Sequence, residues 1–252
     1  MGSKGNRRHT KRLNTPAFLQ IPRKEHVFFI RAGAGPHPKN FSLPLGHIIR
    51  DLMKLSSNWN ESKYILSSKK MQIDKTVRTS HRFPVGLMDV VEIADINKAY
   101  RVLPSVKHGL NLSEITKDEA KFKLCRIENI VTLPHGNLQL NLHDGRNILI
   151  PVKDASKKPD ISYKTMGTLK ISIPDQKILD YYPMENKNWA VIIKGKNIGK
   201  VGKIIAIEKR FGVNASLVEI ESPDGEKIST AYEYTFIIGK DNPAIDLPVE
   251  TK

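Results

Sequence analysis

The stretch LGHIIRDLMKLSSNWNESKYILSSKKMQIDKTVRTSHRFPVGLMDVVEI, residues 45–93, carries the reading of the fold. Its first eleven residues place Leu45, Ile48, Ile49, Leu52, Met53 and Leu55 at the 3.6-residue period of an amphipathic helix. His47, Arg50 and Lys54, at i, i+3 and i+7, fall on the other side and make a basic face. Asn60 stands where it can cap a second short helix over 61–66 that buries Tyr64 and Ile65, and Lys69 and Lys70 close it. Strand-like runs follow at 71–73, 76–78 and 89–93, the first two joined by an Asp74-Lys75 turn. This order of helix, helix, hairpin and strand makes an α+β module over residues 42–94. The face of His47, Arg50 and Lys54, followed by Lys69, Lys70, Lys75, Arg78 and Arg82, would line one edge of it with cations long enough to reach phosphates.

Upstream, residues 1–41 form a basic arm with nine basic and one acidic side chain. Arg7, Arg8, His9, Lys11 and Arg12 are grouped before Pro16. Formal net charge is +15, and it falls along the chain: +8 over 1–40, +4 over 41–104, +3 over 105–180 and zero over 181–252. A surplus concentrated in this way attracts a polyanion and makes binding strongly salt-dependent. A membrane surface would call for basic residues on one face of an amphipathic helix, and Pro16, Pro22, Gly33, Gly35, Pro36 and Pro38 forbid a long one. With few apolar residues before Phe18, the arm alone is expected to be largely disordered and to order on RNA. The apolar run Val27-Phe28-Phe29-Ile30 is expected to pack.

Downstream, alternation with a period of two takes over. Strands are predicted at 99–103, 124–132, 138–142, 148–151, 168–173, 189–193, 203–207, 216–220 and 235–238, with one helix at 113–121. Turn signals such as Asp144-Gly145 and Pro223-Asp224-Gly225 separate them. Short strands at this spacing suggest small barrels, and a break near Pro183 divides a central β-rich domain, 95–180, from a second, 181–252. Within the latter, Lys194-Gly195-Lys196-Asn197-Ile198-Gly199-Lys200-Val201-Gly202-Lys203 interleaves lysines with glycines and contains no acid. Such a loop can lie against phosphates, with Lys196 and Lys200 as its contacts. The architecture as a whole is expected to be multidomain α+β, mainly β.

Nothing in the chain has the spacing of a reaction centre. There is no P-loop, no Gly-x-Ser-x-Gly, no His-Glu-x-x-His and no dinucleotide-binding glycine pattern. The eight histidines are scattered, and the single cysteine, Cys125, lacks zinc-ligand neighbours. No run approaches the length of a membrane helix. The expectation is no catalytic residue, no metal, no cofactor, no small-molecule substrate and no membrane. The partner expected is structured RNA, which is recognised through backbone shape by positioned Arg and Lys side chains.

A series of local motifs, in order, resembles one family: the archaeal and eukaryotic e-type small-subunit ribosomal protein number four. His9-Thr10-Lys11-Arg12-Leu13-Asn14-Thr15-Pro16 is similar to its N-terminal signature, and Gly35-Pro36-His37 with Leu43-Pro44-Leu45 to the junction that follows. Lys75-Thr76-Val77-Arg78-Thr79 and Pro84-Val85-Gly86-Leu87-Met88-Asp89-Val90 resemble the hairpin and closing strand of the alpha-L RNA-binding fold. Where that hairpin usually has glycine after its Asp or Asn, this chain has Lys75, an added cation. Glu119 to Cys125 and His143-Asp144-Gly145-Arg146 resemble the central domain. Residues 195–207 resemble a KOW motif of an SH3-like barrel, and Phe236-Ile237-Ile238-Gly239-Lys240 with Leu247-Pro248 the C-terminal region. A chain that stops soon after Pro248, without a basic tail, points to an archaeal source. The resemblance implies a structural protein of the small subunit, in the cytoplasm, contacting ribosomal RNA and neighbouring small-subunit proteins with no cofactor. On this basis Arg7, Arg8, Lys11, Arg12, Arg50, Lys54, Lys69, Lys70, Lys75, Arg78, Lys196 and Lys200 are the expected RNA contacts. The rivals are an RNA-modifying enzyme with an appended alpha-L module and a KOW-containing transcription or translation factor.

Overall fold

The computed structural model describes residues 9–19, 21–96, 98–105, 109–151, 163–210 and 215–247. It is mainly β. Contacts divide the chain into two units, one built up to Leu103 with Leu110–Ile115 added, the other from Thr116 onward with the short segment Pro104–Gly109. Among the described residues no helix is long and apolar enough to cross a membrane.

The first unit opens with a two-stranded ribbon, β1 (His9–Lys11) against β2 (Phe28–Ile30). The strand β3 (Ser42–Pro44) leads into α1 (Leu45–His47), a π-helical turn over Ile48–Leu52, and α2 (Trp59–Ser67). Then follow β4 (Met71–Ile73), β5 (Thr76–Val77), β6 (Pro84–Gly86), β7 (Val90–Ile93), β8 (Lys98–Ser105) and β9 (Gly109–Ile115). β6 pairs with β3, and the others form a sheet in the order β5-β4-β7-β8-β9. The core is formed by Leu45, Ile48, Ile49, Leu66, Met71, Val85, Met88, Val90 and Val91, all with no exposed surface.

Several local expectations change here. The predicted helix over 45–55 is one short α turn and a π turn, in which Met53 N–H bonds the Ile48 carbonyl at 2.9 Å and Lys54, at φ +53°, ends the run. α2 starts earlier than Asn60 suggested, because Glu61 accepts backbone N–H bonds from Ser57 and Asn58 and so fixes Asn58 as the cap. That register buries Ser62 and Leu66 and leaves Tyr64 73% exposed, contrary to the expected burial. Residues 113–121, expected as a helix, instead complete the edge strand β9 and a 3-10 turn at Glu119–Lys121. Pairing beside β8 outweighs their helical composition. Within the described part of residues 1–41, Leu19, Ile21, Phe29 and Ile30 are buried. Of the Val27–Ile30 run, only Phe29 and Ile30 pack.

In the second unit, β10 (Phe122–Thr132), β11 (Leu138–Leu142), β12 (Asn147–Ile150), β13 (Thr168–Ser172) and β14 (Ile178–Tyr182) form a sheet ordered β12-β11-β10-β13-β14. A second sheet holds β15 (Trp189–Ile192), β16 (Val201–Glu208), β17 (Leu217–Glu221), β18 (Lys227–Ala231) and β19 (Thr235–Gly239), ordered β18-β17-β16-β15-β19. Leu124, Ile127, Leu140, Leu169 and Ile171 bury the first; Val191, Ile192, Val218, Phe236 and Ile237 bury the second. Arg126 ties the sheets together, donating from Nη1 to the Glu233 and Thr235 carbonyls while Nε and Nη2 hold Glu128. Gly202 is obligatory, since a Cβ there would lie 2.1 Å from the Glu221 carbonyl oxygen.

Candidate nucleic-acid interface

The hairpin turn positions the first group of cations. Gln72 pairs with Val77 and Ile73 with Thr76, leaving a two-residue loop in which Asp74 and Lys75 have φ of +49° and +61°. This is the type I′ geometry that matches strand twist and favours glycine at its second position. Asp74 is locked by its own backbone and carboxylate, which bond the Val90 carbonyl and N–H. Lys75 therefore projects from a fixed turn, with Glu92 2.7 Å from its Nζ. Arg78 lies over the Phe83 ring at 4.6 Å, and its Nε has no acceptor among the described residues.

On the helical side the expected basic face of His47, Arg50 and Lys54 is not formed. His47 is 2% exposed, and its Nδ1 lies 2.6 Å from Asp51, which also takes Arg50 Nε at 2.7 Å. Arg50 is pressed onto Trp59, 3.7 Å from the ring centroid, so its guanidinium is enclosed. Burial alone would raise the Asp51 carboxyl, but hydrogen bonds and attraction from His47 and Arg50 bring it below the ordinary range. Asp51, four residues after His47 and adjacent to Arg50, was the sequence signal for this internal network. Only Lys54 of the three is exposed.

Lys69 is exposed, whereas exposed Lys70 faces Asp95 at 2.5 Å, whose hydrogen bond and charge raise its pKa. Arg82, expected on the same basic edge, gathers with Lys63 near His81. Burial, and then the nearby charges of Lys63 and Arg82, hold the His81 imidazole below its ordinary pKa, and Arg82 Nε bonds the Arg31 carbonyl. In the arm, Lys11 is exposed, while Arg12 turns inward to the Ile21 carbonyl at 2.7 Å. Arg7 and Arg8 lie outside the described residues. His37 joins arm to module: its Nε2 meets Asp89 at 3.0 Å, Asp89 accepts the Gly86 N–H, and the His37 ring fills the space where a Cβ on Gly86 would sit.

In the second unit the glycine-lysine loop folds back between β15 and β16. Gly199 N–H bonds the Ile192 carbonyl, Ile192 N–H bonds the Lys200 carbonyl, and Gly195 and Gly199 take φ of +90° and +82°. Lys196 is exposed, and Lys200 meets Glu226, an acid from the β17–β18 turn that the loop's own composition could not reveal. Such partly exposed pairs are worth little alone, so a phosphate can replace the carboxylate at small cost.

One further charged group was not singled out. Lys123 and Asp144, each 1% exposed, lie 3.0 Å apart; Arg146 Nε also meets Asp144, at 3.2 Å, and the Cys125 thiol faces it at 3.6 Å. Burial would raise the Asp144 carboxyl, yet the charges of Lys123, His143 and Arg146 bring it down to about 2. Cys125, His143 and Asp144 offer donor atoms within 4.8 Å of one another, but two cations already occupy the carboxylate a metal would need. The group is an internal ion network that fixes β10 against the β11–β12 turn. The apolar neighbours could have revealed it, since Lys123 sits beside Leu124 and Cys125 in the half of β10 that is buried on both faces.

Fold and surface define the class: a mainly β, strongly basic protein with exposed lysines at its hairpin turn, after its second helix and in its glycine-lysine loop. The model of Ribosomal family S4e matches residues 96–178, and that of the RS4NT (NUC023) domain residues 4–40. The small ribosomal subunit protein eS4 of Desulfurococcus amylolyticus is 44% identical over 248 residues, 98% of each chain. That of Methanocaldococcus jannaschii is 43% identical over 247 residues, 98% of this chain and 100% of its own. The crystal structure of the 30S ribosomal protein S4e from Thermoplasma acidophilum superposes with a TM-score of 0.67 at 34% identity, covering 80% of this chain and 97% of that one. The chain belongs to the ribosomal S4e family, in its archaeal branch.

Proposed function

We propose that the protein is a structural constituent of the small ribosomal subunit in the cytoplasm, bound to small-subunit ribosomal RNA and to neighbouring subunit proteins, and not an enzyme. The observation that carries this is identity of 44% and 43%, over almost the entire chain, with archaeal proteins named for that subunit. The rivals, an RNA-modifying enzyme and a KOW-containing factor, find no support in these full-length relatives.

The mechanism is electrostatic. Exposed Lys11, Lys54, Lys69, Lys70, Lys75 and Lys196, with half-buried Arg78 and Lys200, displace counterions from phosphates, and within each unit the fold holds them at set spacings so that only a matching RNA fold meets many at once. Arg7, Arg8 and Arg12 extend this grip along the arm. Arg50 acts from beneath the surface, through the stack with Trp59. In this reading residues 1–41 are the arm, 42–94 an alpha-L module, 95–180 the central domain and 181–252 a KOW-bearing SH3-like barrel with its C-terminal extension. The type I′ hairpin and the folded-back glycine-lysine loop support the two module assignments. Sedimentation of an extract in low salt tests the function: the protein is expected with small subunits, and recovery as a free species or with RNA polymerase would refute it.

A further inference from the structure

The arm ribbon leaves an aromatic residue uncovered. Phe29 packs inward at 2% exposure against His47 and Trp59, whereas Phe28 beside it is 51% exposed. The ribbon pairs Lys11 with Phe28 and His9 with Ile30, so His9 is the diagonal neighbour of Phe28, and the two rings meet edge to face at 4.8 Å. That contact restrains both rings and leaves aromatic surface open. Val27, next in the chain, is 71% exposed, and its carbonyl accepts the Arg12 N–H, which holds the end of the ribbon beside the ring.

We infer that this patch is a stacking platform for an unpaired RNA base, Phe28 presenting the ring, His9 bracing it and Lys11 meeting the adjacent phosphate. This rests on the ribosomal reading above and deepens it. What selects RNA over a protein neighbour is charge: residues 9–31 carry five Lys and Arg against one Glu, and a lysine stands directly across the ladder from the exposed ring. Protein-binding patches are depleted of lysine at their centres. An exposed aromatic among cations matches the stacking and phosphate contacts by which single-stranded segments are held.

The test uses the full-length protein and purified small-subunit ribosomal RNA, with affinity measured across a potassium chloride series. Phe28→Ala should weaken binding by roughly 5- to 100-fold at every salt concentration with an unchanged slope, because stacking releases no counterions. Phe28→Trp should restore it and Phe28→Leu should not, and this aromatic dependence separates stacking from a loss of packing. Irradiation of the wild-type complex should leave a nucleotide adduct on Phe28. Wild-type affinity for Phe28→Leu, or an unchanged Phe28→Ala, would overturn the inference, as would normal RNA affinity combined with failure to enter subunits, which would mark a protein partner. If the wild-type protein does not bind this RNA at all, the ribosomal reading itself falls and the platform with it.

Discussion

Replacing Lys123 by methionine should destabilise the protein more than removing any surface cation, and the reason is local. Lys123 and Asp144 are each 1% exposed and 3.0 Å apart, so the substitution leaves a carboxylate sealed in the sheet with Arg146, 3.2 Å away, and the nearby His143 as its remaining charged support. Breaking a buried pair at one end costs roughly 3–5 kcal/mol, and the remaining Arg146 places Lys123→Met near 3. The pKa agrees in scale. Asp144 lies at about 2 against a reference of 3.8, which corresponds to about 2 kcal/mol of stability. A depressed folded-state pKa stabilises above the unfolded value, so this contribution is complete above about pH 4 and is lost as pH falls through about 2. Thermal unfolding should show Lys123→Met melting roughly 6–12 °C lower at neutral pH, with much of the difference gone near pH 2. Asp144→Leu should be similarly damaging alone, yet the double variant Lys123→Met/Asp144→Leu should recover most of the loss. A single variant within about 1 kcal/mol of wild type, or single losses that simply add in the double, would refute the account of an internal ion network.

Lys75→Gly should stabilise the hairpin by up to roughly 1 kcal/mol, by relieving a non-glycine left-handed residue, while lowering the salt slope of RNA binding by about 0.7–0.9; denaturant melts and salt titrations read the two effects separately. Arg50→Ala should do the reverse, costing roughly 1–3 kcal/mol through the Asp51 and Trp59 contacts with an unchanged salt slope. His81 is held below its ordinary pKa by burial and by Lys63 and Arg82, so a phosphate at that cluster must raise it and couple binding to proton uptake. RNA affinity should therefore rise as pH falls from 8 to 6, and a flat profile, or an imidazole NMR titration unchanged by RNA, would remove His81 from the interface.

The strands were the most legible part of the fold. β11 runs over the predicted residues 138–142, and β10, β13, β15, β17 and β19 shift by only one or two at an end, since each carries an alternating or continuous run of inward apolar side chains. β14 and β18 gave no such signal because Leu179 and Lys227 face solvent in strands at or near sheet edges. The surface was less legible than the fold. Counting charge located the cationic arm and hairpin, but could not distinguish Lys54, which is exposed, from Arg50, which Asp51 and Trp59 enclose. A π turn alters which side chains share a face, and acids distant in sequence, such as Glu92, Asp95 and Glu226, choose their lysines only after folding. Phe28 was concealed within an apolar run whose two halves diverge, one into the core and one to solvent.

Hydroxyl-radical footprinting of purified small-subunit ribosomal RNA with the full-length protein tests the central claim most directly. A defined set of backbone positions should be protected, with protection reduced locally by Lys75→Ala and Lys196→Ala and unaffected by Arg50→Ala. Absence of protection, or equal protection of large-subunit RNA at the same salt, would contradict it.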